Sequence, residues 1–358
     1  MYELQFENPN EFKKFLLEMK VDVADANLMA SKGTFRVYFI KNISAASASI
    51  LKQEALAKNC DLAIPKGAYR LAGNFSAILF GTLAALNDLQ RSLAMQSAGD
   101  LNKLSENIRE LVRDEKMLAP VMFGKIAFEW NKPVLATTFE LSNFLKEKDQ
   151  KFDLKKLQAE AKQFVEKGGE MIELSIVGEA ELEKKDRDKY LLAAVRKLKG
   201  LKVALAVRTH NPELTEAALN SGASFLSDPE GLTDPRMLKL LLDTKVPLLL
   251  GYGGVRHAEG SALLRVHNFF AEKVALLRAQ EFEQIMLCLP ADMQIEQELG
   301  AFRSLKCPLM ITSASKRDLA AKFRDLQYLE NGANLLRVAK TKEGLEIFEA
   351  YKQLQDGR

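Results

Sequence analysis

The chain predicts an α/β fold, a C-terminal (β/α)8 TIM barrel preceded by a small N-terminal α/β domain. Three observations lead there. From Pro133 onward, short apolar runs alternate with amphipathic segments, the pattern of parallel strands joined by helices. Eight such units fit into about 220 residues with short connections, which suits a closed barrel and exceeds what an open doubly wound sheet usually holds. With 358 residues, the chain also outruns a barrel of roughly 250 residues and leaves room for a second domain. The expected domains are residues 1–97, a helical connector over 98–132, and the barrel over 133–358.

In the first domain a helix is expected over Asn10–Met19, then a strand beginning at Phe35 (FRVYFIKNI). An alanine-rich helix follows from Ser44 to Lys58, with Ser44 as N-cap. CDLAIP and FSAILFGT read as short strands, and the helix after them is capped by Thr82. Neither common glycine-rich phosphate loop is present. Over Leu101–Met117, Leu104, Ile108, Leu111 and Val112 recur at helical spacing and give the connector one apolar face. Trp130, the single tryptophan, is expected to be buried where the two domains meet.

The barrel strands read VLATTF, EMIELSI, KVALAVR, SFLSD, VPLLLGY, QIMLCL, PLMITS and NLLRV, each followed by a helix. The stretch Gly222–Gly254 is the clearest unit. In it Asp234 caps a helix that Pro235 begins, where the missing N–H of proline costs nothing.

Composition narrows the function. Basic residues (51) nearly match acidic ones (48), so nucleic acid is not an expected partner and any anion site must be local. No run of about 18 apolar residues or secretory leader is present, which points to a cytoplasmic protein that does not insert in a membrane. Cys60, Cys288 and Cys307 are far apart and odd in number, against a disulfide framework or a zinc site. No two of the three histidines have ligand spacing, so neither a metal nor a cofactor is expected.

Barrel chemistry stands at the C-terminal ends of the strands. Those positions carry Glu173, Arg208 with His210, Ser227 with Asp228, Tyr252, Cys288, Ser313 with Ser315 and Lys316, and Arg337. Barrels commonly hold phosphate at the seventh and eighth loops. Ser313, Ser315, Lys316 and Arg337 are therefore expected to form an anion site. Glu173 and Asp228 are the carboxylates at the mouth, with Arg208 expected to neutralise one of them and hold it ionised. That suits anchoring a ligand better than acid–base work.

These residues carry a resemblance. AALNSGASFLSDPEGLTDPRMLKLLLDTKVPLLL, THNPELTEAAL, PLMITSASK and GANLLRV resemble segments of dihydropteroate synthase, the folate-pathway enzyme that joins a pterin methyl pyrophosphate to p-aminobenzoate. ILKQEALAKNCDLAIPKGA and AILFGT are similar to an N-terminal extension in some bacterial members. The resemblance implies a pterin pyrophosphate or phosphate as ligand and a homodimer as assembly. It also implies substitutions at the family's site: an asparagine falls on Ala136, aspartates on Glu173, Arg208 and Cys288, and an asparagine on Ser227, while Asp228, Lys316 and Arg337 persist. The expected function is thus a dihydropteroate synthase-like protein with a degenerate active site and no catalytic residues, a pseudoenzyme acting through an anion or a protein partner. The alternative is an active synthase.

Overall fold

Two short helices, α1 (Pro9–Glu18) and α2 (Val23–Gly33), precede strand β1 (Phe35–Ser44) and helix α3 (Ala45–Ala57). Then come β2 (Asp61–Ala63), β3 (Asn74–Thr82), α4 (Leu83–Leu93) and α5 (Leu101–Val112). The helix starts follow their caps. Ser44 Oγ accepts from the Ser47 N–H at 3.1 Å and Thr82 Oγ1 from that of Ala85 at 3.2 Å, satisfying donors that a helix start leaves unpaired. The three strands form an antiparallel sheet in the order β1-β3-β2. Leu51, Leu62, Leu79, Leu86, Leu89, Leu93, Leu101 and Ile108 close a core of their own. Phe35, Val37, Phe39 and Ile78 stand outward on the other face of the sheet.

The computed structural model describes residues 4, 6, 9–68, 73–96, 100–112, 118–144, 152–175, 184–254, 259–290, 295–313, 319–338 and 341–356. It divides into two units, Met1–Lys116 and Met117–Arg358. The expected connector thus gives α5 to the first unit. To the second it gives a hairpin, β4 (Val121–Phe123) and β5 (Ile126–Phe128).

The barrel follows: β6 (Val134–Glu140), α6 (Leu154–Glu166), β7 (Met171–Ser175), α7 (Lys184–Leu198), β8 (Ala204–Val207), α8 (Pro212–Ser221), β9 (Leu226–Asp228) and α9 (Pro235–Thr244). It continues with β10 (Leu248–Leu250), α10 (Ala262–Arg278), β11 (Ile285–Leu289), β12 (Leu309–Thr312), α11 (Leu319–Glu330), β13 (Leu335–Val338) and α12 (Thr341–Asp356). The eight strands are parallel neighbours in the order β8-β7-β6-β13-β12-β11-β10-β9. An isolated bridge between Arg208 and Ser227 joins the two ends, helped by the Ser224 N–H to Leu205 at 2.7 Å. After β11 the expected helix is instead a 3-10 segment, Glu296–Leu305.

Strand alternation sorts the side chains into two cores. Leu135, Ile172, Leu174, Leu205, Leu226, Leu248, Leu287 and Leu336 face the helices. Val134, Ala136, Met171, Ala204, Ala206, Leu249, Met286, Met310 and Leu335 fill the barrel interior, together with Phe123 and Phe128 of the hairpin. Phe123 meets Phe225, one residue before β9, edge-on at 5.5 Å. Gln284, one residue before β11, accepts from the Met122 N–H at 2.8 Å. The hairpin therefore plugs the N-terminal end of the barrel. Trp130 is half-buried against Phe128 of that plug, its indole N–H donating to Ala119 at 2.9 Å.

Candidate ligand site at the barrel mouth

The alternation that places Ala204, Ala206, Met171, Met286, Met310 and Leu335 inside the barrel also turns the next residues of the same phase inward, now at the C-terminal end. Those residues are Glu173, Arg208, Ser227, Cys288, Thr312 and Arg337. At the centre of this layer Arg337 Nη1 lies 2.7 Å from Glu173 Oε2, with Glu173 fully buried. Nη2 donates to Cys288 Sγ at 3.2 Å and to Thr312 Oγ1 at 2.7 Å, and Nε reaches the same hydroxyl at 3.1 Å. The other Glu173 oxygen, Oε1, accepts from the Ser227 hydroxyl. Burial by itself pulls the Arg337 pKa down. Cys288 and Glu173 more than offset that pull, so the guanidinium is held charged with a raised pKa.

The expected neutraliser of the mouth carboxylates was Arg208, and the structure corrects this. Arg337 takes Glu173 over the intervening strand β6, because both stand in the inward phase of β13 and β7. Asp228 stands one residue later than Ser227, out of that phase, and it folds back on its own loop. Its two oxygens accept from the backbone N–H groups of Glu230 and Leu232, both at 2.8 Å. Burial raises the Asp228 pKa, against the lowering effect of those two N–H groups; no arginine depresses it. Arg208 is half-buried, its N–H donates to the Leu174 carbonyl at 2.9 Å, and its guanidinium makes no hydrogen bond or ion pair among the described residues.

A cavity of about 310 Å³ opens at this end, lined by Arg208, Asp228, Leu249, Tyr252, Cys288, Leu289, Pro290, Thr312 and Arg337 among others. Its wall is shaped by close backbone packing. A Cβ on Gly253 would stand 1.9 Å from the Glu230 carbonyl oxygen and one on Gly251 2.5 Å from that of Pro229. The loops after β9 and β10 therefore touch. Tyr252, between those glycines, is buried with its ring edge-on to Phe269 at 5.1 Å.

Of the expected anion-site residues, Ser313 is buried and its hydroxyl donates to Asp325, while its N–H donates to the Arg337 carbonyl at 2.8 Å. Ser315 and Lys316 lie outside the described residues, and Arg337 is engaged as above. His210 stands exposed at the rim, its Nδ1 3.4 Å from Glu230. His267 packs on Phe302 and meets Ser304 at 3.1 Å, while His257 lies outside the described residues. Cys60 and Cys307 are buried thiols pushed up by burial to about 11 and about 12, Asp88 adding to the effect at Cys60. Among the described residues no group of three or more histidines, cysteines or carboxylates is placed to hold a metal ion. None of their helices is long and apolar enough to cross a membrane.

Sequence reading missed the Glu173–Arg337 pair. The signal was present in the inward phase that both residues share with their strands' apolar residues. Their partnership over β6 depends on the first barrel strand pairing with the last, which sequence spacing does not display.

The chain folds as a parallel barrel with a charged layer at its C-terminal mouth, and residues 142–289 match the family described as pterin binding enzyme. That match runs from just after β6 to the end of β11. It takes in Glu173, Arg208, Ser227, Asp228 and Cys288. Among relatives, the bifunctional dihydropteroate synthase/dihydropteroate reductase of Helicobacter pylori is 22% identical over 386 aligned residues, covering 98% of each chain. Solved structures of similar fold include dihydropteroate synthase from Xanthomonas albilineans, with a TM-score of 0.59, 16% identity, and 66% of this chain and 98% of that one covered. The Yersinia pestis enzyme gives 0.58 at 15% identity, covering 67% and 100%. The Thermus thermophilus enzyme in complex with 6HMPPP gives 0.55 at 19% identity, covering 66% and 100%. The chain is therefore dihydropteroate synthase-like, with the barrel as the structurally shared part.

Proposed function

We propose that this chain is a dihydropteroate synthase-like protein that does not condense a pterin with p-aminobenzoate and acts instead by binding an anion or a protein partner. The observation that carries this is the closed Glu173–Arg337 pair. A pterin ring presents a row of N–H donors and needs acceptors opposite them. Both Glu173 oxygens are already taken, by Ser227 and Arg337, and both Asp228 oxygens by the loop backbone. At the third strand a guanidinium, Arg208, replaces an acceptor with donors. Each lost charged hydrogen bond costs about 1.5–3 kcal/mol, so two weaken binding about 100-fold or more. Within this reading phosphate or pyrophosphate is held at the seventh and eighth strands by Ser315 and Lys316, beside Ser313 and Arg337, with Asp228 at the rim. Loss of phosphate binding in Lys316→Ala supports that corner; binding unchanged in this variant rules it out.

The second reading is an active enzyme. It is favoured by the Helicobacter pylori relative, whose name carries both synthase and reductase activities and which aligns along 98% of each chain. A turnover assay with pterin methyl pyrophosphate and p-aminobenzoate separates the two. No dihydropteroate is expected, and product above the uncatalysed rate establishes the enzyme instead.

A further inference from the structure

We propose that the N-terminal unit holds a small sugar phosphate in a cavity among its helices, with Lys13 on the phosphate and Asn27 and Asn87 on the hydroxyls. The cavity, of about 340 Å³, is lined by Asn10, Lys13, Asn27, Ser31, Asn87 and Val112 among others, a volume at the lower end of small-molecule pockets. Ala30 and Leu83, both buried, stand behind them. All of its described residues belong to the first unit, so none is shared with the barrel mouth and the site stands under either reading of that mouth. It opens where α1 packs on α2, α2 on α4 and α4 on α5. Ala30 of α2 and Ala84 of α4 line it and are too short to fill the space between the helices.

Three helices each bring one carboxamide to this lining: Asn10 from α1, Asn27 from α2 and Asn87 from α4. A carboxamide both donates and accepts, as a hydroxyl does, so the set suits a ligand body that carries several hydroxyls. Ser31 adds an acceptor, because its own hydroxyl donates to the Leu28 carbonyl at 2.9 Å. An apolar body would take water from these groups and return no hydrogen bond. Lys13 is half-buried and is the one charged side chain among the described residues of the lining, which selects a negative ligand. The side chains of Lys13, Asn27 and Asn87 make no hydrogen bond or ion pair among the described residues. No arginine is among the described lining residues to match the plane of a carboxylate in a fork, whereas an ammonium with three rotatable donors suits the oxygens of a phosphate.

The full-length chain is titrated calorimetrically with ribose 5-phosphate and with ribose. The phosphate ester is expected to bind saturably, with ribose at least about 10-fold weaker, the size expected for a charge-assisted contact. Lys13→Met is expected to weaken the ester by a similar factor, and Asn87→Leu by about 5-fold for the loss of a neutral hydrogen bond. Lys316→Ala, in the barrel, is expected to leave it unchanged. Hydrogen exchange of the unaltered chain keeps the test independent of how the variants fold: ribose 5-phosphate is expected to slow the amides of residues 9–13, 27–31 and 83–87. Protection confined to residues 117–358, or binding lost in Lys316→Ala, puts the ligand in the barrel and overturns the proposal. So does ribose that binds as tightly as its phosphate, binding unchanged in a folded Lys13→Met or Asn87→Leu chain, or no saturable binding of ribose 5-phosphate up to about 10 mM.

Discussion

Arg337 and Glu173 set the character of the barrel mouth. A buried ion pair that loses one member leaves a charge in a low-dielectric site, which costs about 3–5 kcal/mol. Arg337→Met is therefore expected to lower the urea midpoint strongly, whereas Arg337→Met combined with Glu173→Leu recovers most of the loss, because no unpaired charge remains. Equal losses in the single and double variants would contradict a coupled pair. Asp228 supplies a second test, through pH. Its pKa is raised on folding, chiefly by burial, so the native state takes up a proton at higher pH than the unfolded chain does. Its contribution to stability is then largest below the unfolded pKa of about 3.9 and falls as pH rises through the folded value. Relative to Asp228→Asn, which does not titrate, the native chain is expected to gain stability as pH drops from 7 to about 4. Paired melts of the two proteins at both pH values check the sign. Sequence showed each of these residues at a strand end, but not who pairs with whom. Arg208 and Arg337 both stand at strand ends, and only the pairing of the first barrel strand, β6, with the last, β13, brings Arg337 within reach of Glu173 and leaves Arg208 at the cavity.

Elements with strong periodicity and a chemical start signal were legible. Asp234 accepts from the Arg236 N–H at 2.8 Å and Pro235 opens α9, as the sequence chemistry requires. The α2 helix was not legible, because its buried face is only Ala26 and Ala30 while Val23, Leu28 and Met29 face outward, which inverts the usual stripe. The sixth connection was expected to be α-helical and is the 3-10 segment Glu296–Leu305. Leu299 and Phe302 are buried there, at the i, i+3 spacing that both helix types share. The contact between the β9 and β10 loops makes an element-scale prediction. Gly253→Ala forces a methyl group into the Glu230 carbonyl and is expected to cost about 1–3 kcal/mol. Gly300→Ala, whose Cβ meets nothing within 4 Å, is expected to stay within about 0.5 kcal/mol of the native chain. Chemical denaturation of both variants tests this, and equal stability would mean that the two loops separate at little cost.

At the scale of the whole molecule, the fold class and the eight strands followed from alternation alone, since parallel strands buried on both sides read as apolar runs. The two units have separate cores, one around Leu51, Leu79 and Leu89 and one in the barrel. Unfolding is therefore expected to depart from two-state behaviour. Trp130, the single tryptophan, lies in the barrel unit, so its fluorescence reports that unit while far-UV circular dichroism reports both. Non-coincident urea curves are expected, and superimposable curves would mean that the units unfold as one. The most direct measurement of what the barrel mouth accepts is a calorimetric titration of the full chain with 6-hydroxymethylpterin, which presents the ring without a pyrophosphate. With Glu173 committed to Arg337 and Ser227, no saturable binding is expected up to about 1 mM; a dissociation constant in the micromolar range would contradict the closed pair as the state of this site.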